Sequence, residues 1–476
     1  MRKYFFIVIM SLPVLLSRSY AQEAAKTYSL KECVETAIAN NLTVQQNELQ
    51  MQSEEINWKQ ARLNMLPDLN GSVGHGVNQG RSIDPFTNSY VNEKVNFANY
   101  SVSSGVVLFN GLSVQNGIKQ SNLTYQASKM DWQQSKDNIT LNTILAYVAV
   151  LSAEDLLSQL QARAGLTKKQ VERLDVLNQQ GAINPSLLYD LKGQLASDQL
   201  QVINTTNDLE NARVSLCQLM NIKYEKGMQL ERLEPATFSL TYAETPTQIY
   251  EKALSQFALI RAAELRTQSA EKAVKARRGE LFPTLSLNGS ANSNYSSAAM
   301  QNVFVNTSTV ATGDYVVVNS VQTPVMRQQN NFNQDKISYS KQLNNNIFTS
   351  FSLNLRIPIF NSFFARNRIK LAKLDVKNFS LVEQTAKTTL QQNIERAYSN
   401  MTASFERYKT ILEQVEAYAE SFRAAEIRFN EGVGTSIDYL TAKNNIDRAN
   451  NNLVFVKYDY VLRTKILDYY QGRVSW

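Results

Sequence analysis

The chain has 476 residues, a formal charge of +7, one His and two Cys, which excludes a His-rich metal site and a disulfide scaffold and argues against a catalytic triad or a zinc site. Setting aside Arg2, Lys3 and Arg18, which belong to an expected leader, leaves 46 basic and 42 acidic residues, or +4, too mild a balance for nucleic-acid binding. Only 17 Gly and 9 Pro are present, below ordinary usage, and this scarcity of helix breakers points to long helices.

Arg2 and Lys3 precede a mostly apolar run, Tyr4 to Leu16, and Ser19-Tyr20-Ala21 is a small-x-small site. Residues 1–21 therefore read as a secretory signal peptide with Gln22 as the mature N-terminus; the run is too short for a bilayer anchor. Cys33 lies 12 residues past the cleavage site, which argues against a lipid anchor. No run of 18 apolar residues follows, so any membrane crossing falls to strands.

An internal repeat organises the rest. Leu66-Pro67-Asp68-Leu69 recurs as Phe282-Pro283-Thr284-Leu285, 216 positions on. Leu108-Phe109-Asn110-Gly111 recurs as Ile359-Phe360-Asn361-Ser362, and Ala146-Tyr147 and Gly181 recur as Ala397-Tyr398 and Gly432, all at an offset of 251. The change in offset places an insertion of about 35 residues in the polar segment 293–346. The expected layout is a signal peptide (1–21), a first repeat (22–220), a connecting segment (221–246) and a second repeat (247–476).

Each repeat opens with a helix. In the first, Ser29 and Glu32 form a capping box and the helix runs to about Asn64; its counterpart spans about 247–280. Two strands follow. Leu69, Val73 and Val77 alternate with polar residues, as do Tyr100, Val102, Val106 and Leu108, then Leu285 and Leu287. Ile347, Phe351, Leu353, Leu355, Ile357 and Ile359 share one strand face. Period two with one apolar face marks half-buried strands, of a length that suits tilted membrane strands or a soluble sandwich. Polar loops at 79–96 and 293–346 separate the paired strands. His75 falls on an apolar strand face in a structural role, and Tyr100 is a membrane-interface candidate.

A long helix follows each strand pair. In the second repeat Ile394, Met401, Tyr408, Val415, Phe422 and Phe429 recur every seven residues, with Ala397, Ser404, Ile411, Tyr418 and Ala425 three places later. This is a coiled-coil seam on a helix of about 66 residues, roughly 100 Å long. The chain turns at 430–436, where Gly432 ends one helix and Ser436 is placed to cap the next. In the first repeat it turns at 180–186, with Pro185 at the new helix start and the return helix ending near Met220. Cys33 and Cys217 are either paired or, more simply, two separate thiols. Four strands cannot close a barrel; either they lie outside a membrane, or several chains share one barrel, three giving twelve strands.

No nucleophile elbow, phosphate-binding Gly loop or HExxH motif is present, so the chain does not read as an enzyme, and it shows no cofactor or metal motif. The rival of a different class is a soluble periplasmic or secreted coiled-coil adhesin.

Tyr28-Ser29-Leu30-Lys31-Glu32-Cys33-Val34, Leu66-Pro67-Asp68-Leu69, Val107-Leu108-Phe109-Asn110-Gly111, Asn142-Thr143-Ile144-Leu145-Ala146-Tyr147 and Arg428-Phe429-Asn430-Glu431-Gly432 before Asp438-Tyr439-Leu440 together resemble the TolC family of outer-membrane efflux factors. The resemblance implies a mixed α and β membrane protein. Long antiparallel coiled-coil hairpins would form a periplasmic α-barrel, and four transmembrane strands per chain would complete a twelve-stranded β-barrel in a homotrimer. It implies a passive channel in the Gram-negative outer membrane, docked on a periplasmic adaptor protein and an inner-membrane pump, proton-driven or ATP-driven, and opened by iris-like helix movement. Asp438 would join a three-fold acidic ring at the periplasmic gate, and Gly181, Gly432, Gly434 and Ser436 would lie on adaptor-contact turns. Gly434 stands where the family often has Arg and Thr441 where it often has a second acid, so an Arg-based lock and a double acidic ring have no support in this chain. The first turn reads as one residue longer than the second, with Tyr189-Asp190 near the acid position.

Overall fold

A computed structural model describes residues 27–83, 88–92, 94–232 and 244–472. The signal peptide, Trp476 and part of the 221–246 connection lie outside them. The first half runs β1 (Thr27–Tyr28), α1 (Leu30–Asn40), α2 (Leu42–Leu63), β2 (Asn70–Asn78), β3 (Arg81–Ile83), β4 (Tyr90–Asn92), β5 (Val95–Phe109), α3 (Ser113–Gln179) and α4 (Pro185–Met220). After β6 (Gln229–Leu230) come α5 (Pro246–Gln256), α6 (Ala258–Gly279), β7 (Thr284–Ser296), β8 (Met300–Val318), β9 (Val321–Lys336), α7 (Tyr339–Asn345), β10 (Phe348–Arg356), α8 (Phe364–Asn430) and α9 (Ser436–Tyr470). The pairs α1/α5 and α2/α6 start 216 positions apart; α3/α8 and α4/α9 start 251 apart. Both long helices contain 67 residues.

The single opening helix expected in each repeat is two helices. At Asn41 the backbone is extended (ψ 123°), and its Oδ1 accepts from the amides of Thr43 (2.9 Å) and Val44 (3.3 Å), starting a new helix. Phe257, 216 positions on, breaks the second copy with ψ 118°. The Ser29–Glu32 capping box is present, with both reciprocal bonds made.

The chain folds as two compact units, each drawing on both halves. The first comprises residues up to 52, 127–264 and from 382 onward. Its largest core buries Cys33, Val34, Tyr147, Leu216 and Met220 completely or nearly so. Parallel pairing of β1 with β6 crosses this core, and the Tyr147 hydroxyl donates to the Glu231 carbonyl at 2.6 Å, with the Tyr28 carbonyl at 3.2 Å. Cys33 and Cys217 are both buried in this cluster as thiols, with no disulfide between them. Every seam position named on α8 from Ile394 to Phe429 is buried or half-buried, with Ile394 and Ser404 fully so. Among the described helices α3 alone has an 18-residue window apolar enough by composition to cross a membrane (mean hydropathy 1.3), and 44% of that window is buried. Thr143, Tyr147 and Val150, all fully buried, explain the apolarity as core packing.

The second unit, 53–126 and 265–381, holds a four-stranded antiparallel sheet in the order β10-β7-β5-β2. The inner pair β5–β7 joins the two halves over an extended register, from Phe97↔Ser296 to Phe109↔Leu285. Asp68 pins the sheet's end: its Oδ1 accepts from the Gly105 amide at 2.6 Å, while its own amide donates to the Gly105 carbonyl at 3.1 Å. The sandwich alternative would bury one face under a second sheet. Instead the apolar side chains of β10 stay bare, with Phe351 84% exposed. His75 is exposed opposite Ala98, and Tyr100 lies within β5, its hydroxyl 2.5 Å from that of Tyr339.

The two polar loops are not simple loops. β3 pairs with β4 in the shorter one. The longer one holds a long antiparallel hairpin of β8 and β9, followed by α7, whose buried Gln342 binds the Ser296 amide and carbonyl at 2.9 and 3.0 Å. Asn, Ser and Gln suggested coil, but Val and Thr recur often enough among them to favour extended pairing.

Candidate functional site

The two helix turns lie in the first unit and match in length and in a left-handed glycine. α3 and α4 are joined by residues 180–184, α8 and α9 by 431–435. Gly181 and Gly432 take left-handed φ of +68° and +72°, the conformation that ends a helix at least cost with glycine. In the second turn Gly432 N donates to Phe429 O (3.2 Å), and Val433 N and Gly434 N both donate to Arg428 O at 3.0 and 2.9 Å. Gly434 serves differently: a Cβ there would sit 3.0 Å from Phe429 N and 3.1 Å from Arg428 C, a tight contact that the turn would have to shift to accept.

The equal links correct two expectations. The first turn is no longer than the second, and at an offset of 251 Asp438 matches Leu187, not Tyr189 or Asp190. The cap also shifts by one residue. Thr435, not Ser436, is the N-cap of α9: its Oγ1 accepts from the Asp438 amide at 3.1 Å and donates to Asp438 Oδ2 at 2.8 Å. Ser436 is the first helical residue. Asn184 caps α4 from the matching position, its Oδ1 accepting from the Ser186 amide at 3.0 Å, with Pro185 as the first helical residue. Asp438 is exposed in the first turn of α9, where a carboxylate is favoured by the helix dipole. Both hydroxyls can cap, so the sequence alone does not separate Thr435 from Ser436.

The two turns meet. Arg173 Nη1 donates to Asn430 Oδ1 at 2.8 Å, beside a cavity of about 310 Å³ lined by Leu174, Leu177, Ile183, Leu187, Phe429 and Gly432. Behind it lies an apolar cluster centred on Tyr439, which is 2% exposed. Its ring stacks on Phe429 at 4.6 Å and tilts against Phe422 at 5.7 Å. Burial, reinforced by Glu426 and Asp447, pushes the Tyr439 phenol up to about 12.

Farther from the turns is a buried four-charge network that no sequence motif announced. Arg163 Nη2 binds Asp198 Oδ1 at 2.8 Å, and its Nε lies 2.9 Å from Asp447 Oδ2, an ion pair rather than an aligned hydrogen bond. Lys443 Nζ meets Asp447 Oδ2 at 2.7 Å and Asp198 Oδ2 at 3.7 Å. Thr167 and Gln194 donate to the same Asp198 carboxylate at 2.6 and 2.8 Å. The network ties α3 and α4 to α9 and borders a cavity of about 440 Å³ whose wall also carries Lys169, Arg173 and Glu426. Its local signals are the i, i+4 spacings of Lys443 with Asp447 and of Gln194 with Asp198; the links between helices join distant parts of the chain.

The sequence model of the family described as Outer membrane efflux protein matches residues 33–221 and 249–468. The outer membrane protein TolC of Salmonella enteritidis is 20% identical over 344 residues, covering 72% of this chain but 63% of that protein, less than two thirds of its length. TolC of Vibrio cholerae is 21% identical over 404 residues, 84% of this chain and 81% of the relative. The solved structure of CusC shares the fold, with a TM-score of 0.75 at 14% identity over 95% of each chain.

Proposed function

The chain belongs to the outer membrane efflux protein family, and we propose that three copies form a passive channel across the Gram-negative outer membrane, continued by the helical hairpins into the periplasm. One observation carries the reading: the sheet β10-β7-β5-β2 has two open edges and bare apolar side chains. Open edges have no place in lipid, where every backbone group needs a partner. Within the chain, the second strand of the first copy (β5) already pairs with the first strand of the second copy (β7). Repeating that rule between chains sets β10 of one beside β2 of the next. Three chains then close twelve strands, within the range of bacterial barrels.

In this reading residues 1–21 are the export signal, 22–220 and 247–476 the two repeats, and 221–246 the connection. The turns at 180–184 and 431–435 would take a periplasmic adaptor, which links the channel to an inner-membrane pump driven by protons or ATP. Asp438 would stand at the periplasmic constriction, where rings of one charge select among ions. The chain conducts and does no chemistry of its own.

The test is extraction and native mass. A detergent-requiring, heat-modifiable trimer in the outer-membrane fraction, with conductance in planar bilayers, is expected. A monomer released with soluble periplasmic contents would overturn the proposal.

A further inference from the structure

The β8–β9 hairpin is the largest feature that the channel reading leaves unused. β8 has 19 residues and β9 has 16, with bulges in β8; at about 3.3 Å per residue the ribbon reaches roughly 50 Å from its root. The two strands pair with each other and pack extensively on no other described element. A two-stranded ribbon without cover is marginally stable in water.

The tip carries Tyr315, Val316, Val317, Val318 and Val321, each at least 53% exposed, and bare apolar side chains recur below it at Phe304, Val305, Met326 and Phe332 among Asn, Gln, Ser and Thr. Val318 pairs with Val321 across Asn319 and Ser320, whose φ values of +51° and +66° make a tight two-residue turn. Along the strand Val316 and Val318 point to one face of the ribbon, Tyr315 and Val317 to the other. Both faces of the tip are therefore apolar and bare. A run of this kind is a ready site for association.

We propose that the three tips of a trimer pack against one another above the channel exit. This rests on the trimeric reading. Three points select a second copy of the chain as the occupant. Three-fold symmetry gives each tip two neighbours, one for each apolar face; a membrane surface or a single partner would cover one. The hairpin from 300 to 336 carries Asp314, Asp335, Arg327 and Lys336, a net charge of zero, so copies do not repel and there is no cationic patch to seek anionic headgroups. The roughly 50 Å reach also carries the tip well beyond a hydrocarbon core of about 30 Å when its root sits at the barrel rim.

The experiment is cysteine cross-linking of Val316→Cys combined with Val317→Cys, which puts one thiol on each face of the tip, in the full-length protein, purified in mild detergent. Cys33 and Cys217 are buried thiols and stay silent. Oxidation is expected to join most chains into covalent dimers and trimers within an intact trimer, at a yield that does not change on tenfold dilution. A bimane label on the introduced thiols should be unquenched by brominated lipid in vesicles. A stable trimer that does not cross-link overturns the inference and leaves the channel reading standing. So does a yield that falls with dilution, which marks contacts between trimers, or quenching by brominated lipid, which puts the tip in the bilayer. Loss of the trimer itself overturns both.

Discussion

Arg163 holds the Asp198 carboxylate at 2.8 Å in a position where the Asp198 side chain has no exposed surface. Removing one partner of such a pair leaves the other charge buried and uncompensated, typically worth about 3–5 kcal/mol. Asp198→Ala should therefore lower stability by about 3 kcal/mol or more, read as the urea midpoint of the detergent-solubilised protein. The double substitution Arg163→Met with Asp198→Leu should recover part of the loss. A midpoint unchanged in Asp198→Ala would show that the network contributes little.

Thr435 and Ser436 are neighbours with the same chemistry but different positions. Thr435→Ala removes the cap of α9 and should cost about 1 kcal/mol. Ser436→Ala loses no capping bond and should fall within about 0.5 kcal/mol of the parent. Equal losses would contradict the cap assignment.

Gly432 and Gly434 should respond differently to the same replacement. At Gly432 nothing lies within 4 Å of a new Cβ, so Gly432→Ala is penalised only by its left-handed backbone, about 1 kcal/mol, and Gly432→Asn should be milder. Gly434→Ala meets backbone atoms and should shift the turn itself, visible as faster protease cleavage at 431–435.

Alkaline pH should loosen the turn cluster through Tyr439. Its phenol titrates at about 12 in the fold against an ordinary value of 10. The stabilisation of the neutral, buried form is complete below about pH 10. Between 10 and 12 the unfolded chain gives up its proton while the folded chain keeps it, and stability falls by about 1.4 kcal/mol per pH unit. Tyr439→Phe should flatten its share of that slope in urea titrations at pH 9 to 11.5.

Asp438 has both a local and a collective role to separate. Its carboxylate accepts from Thr435 at 2.8 Å, a bond that Asp438→Asn can largely keep. Cation preference and divalent block in planar bilayers should nevertheless weaken in Asp438→Asn. Unchanged selectivity would remove it from the constriction.

Much of this architecture was readable because its signals are periodic. The heptad run from Ile394 to Phe429 and the alternation from Ile347 to Ile359 depend on local spacing, which the backbone converts directly into helix and strand faces. The break at Asn41 was hidden because the apolar pattern continues past it: Val34 and Ile38 before, Leu42 and Val44 after. The β8–β9 hairpin was hidden by composition, since Asn and Gln serve loops and exposed strands alike. The charge network left only i, i+4 spacings in the sequence, because Arg163, Asp198 and Lys443 become neighbours only once three helices pack.

The matched 67-residue helices α3 and α8 make length a property that the two halves hold in common. A one-residue deletion in α8 would rotate every later seam position by about 100° and unseat it from its neighbours. Removing seven residues keeps the seam in phase but leaves one arm a full two turns short of its twin. Only heptad-sized deletions made together in both outgoing helices, and in α4 and α9 that return alongside them, preserve phase and matching ends. The chain can thus be shortened or extended only in paired steps, as a telescope is.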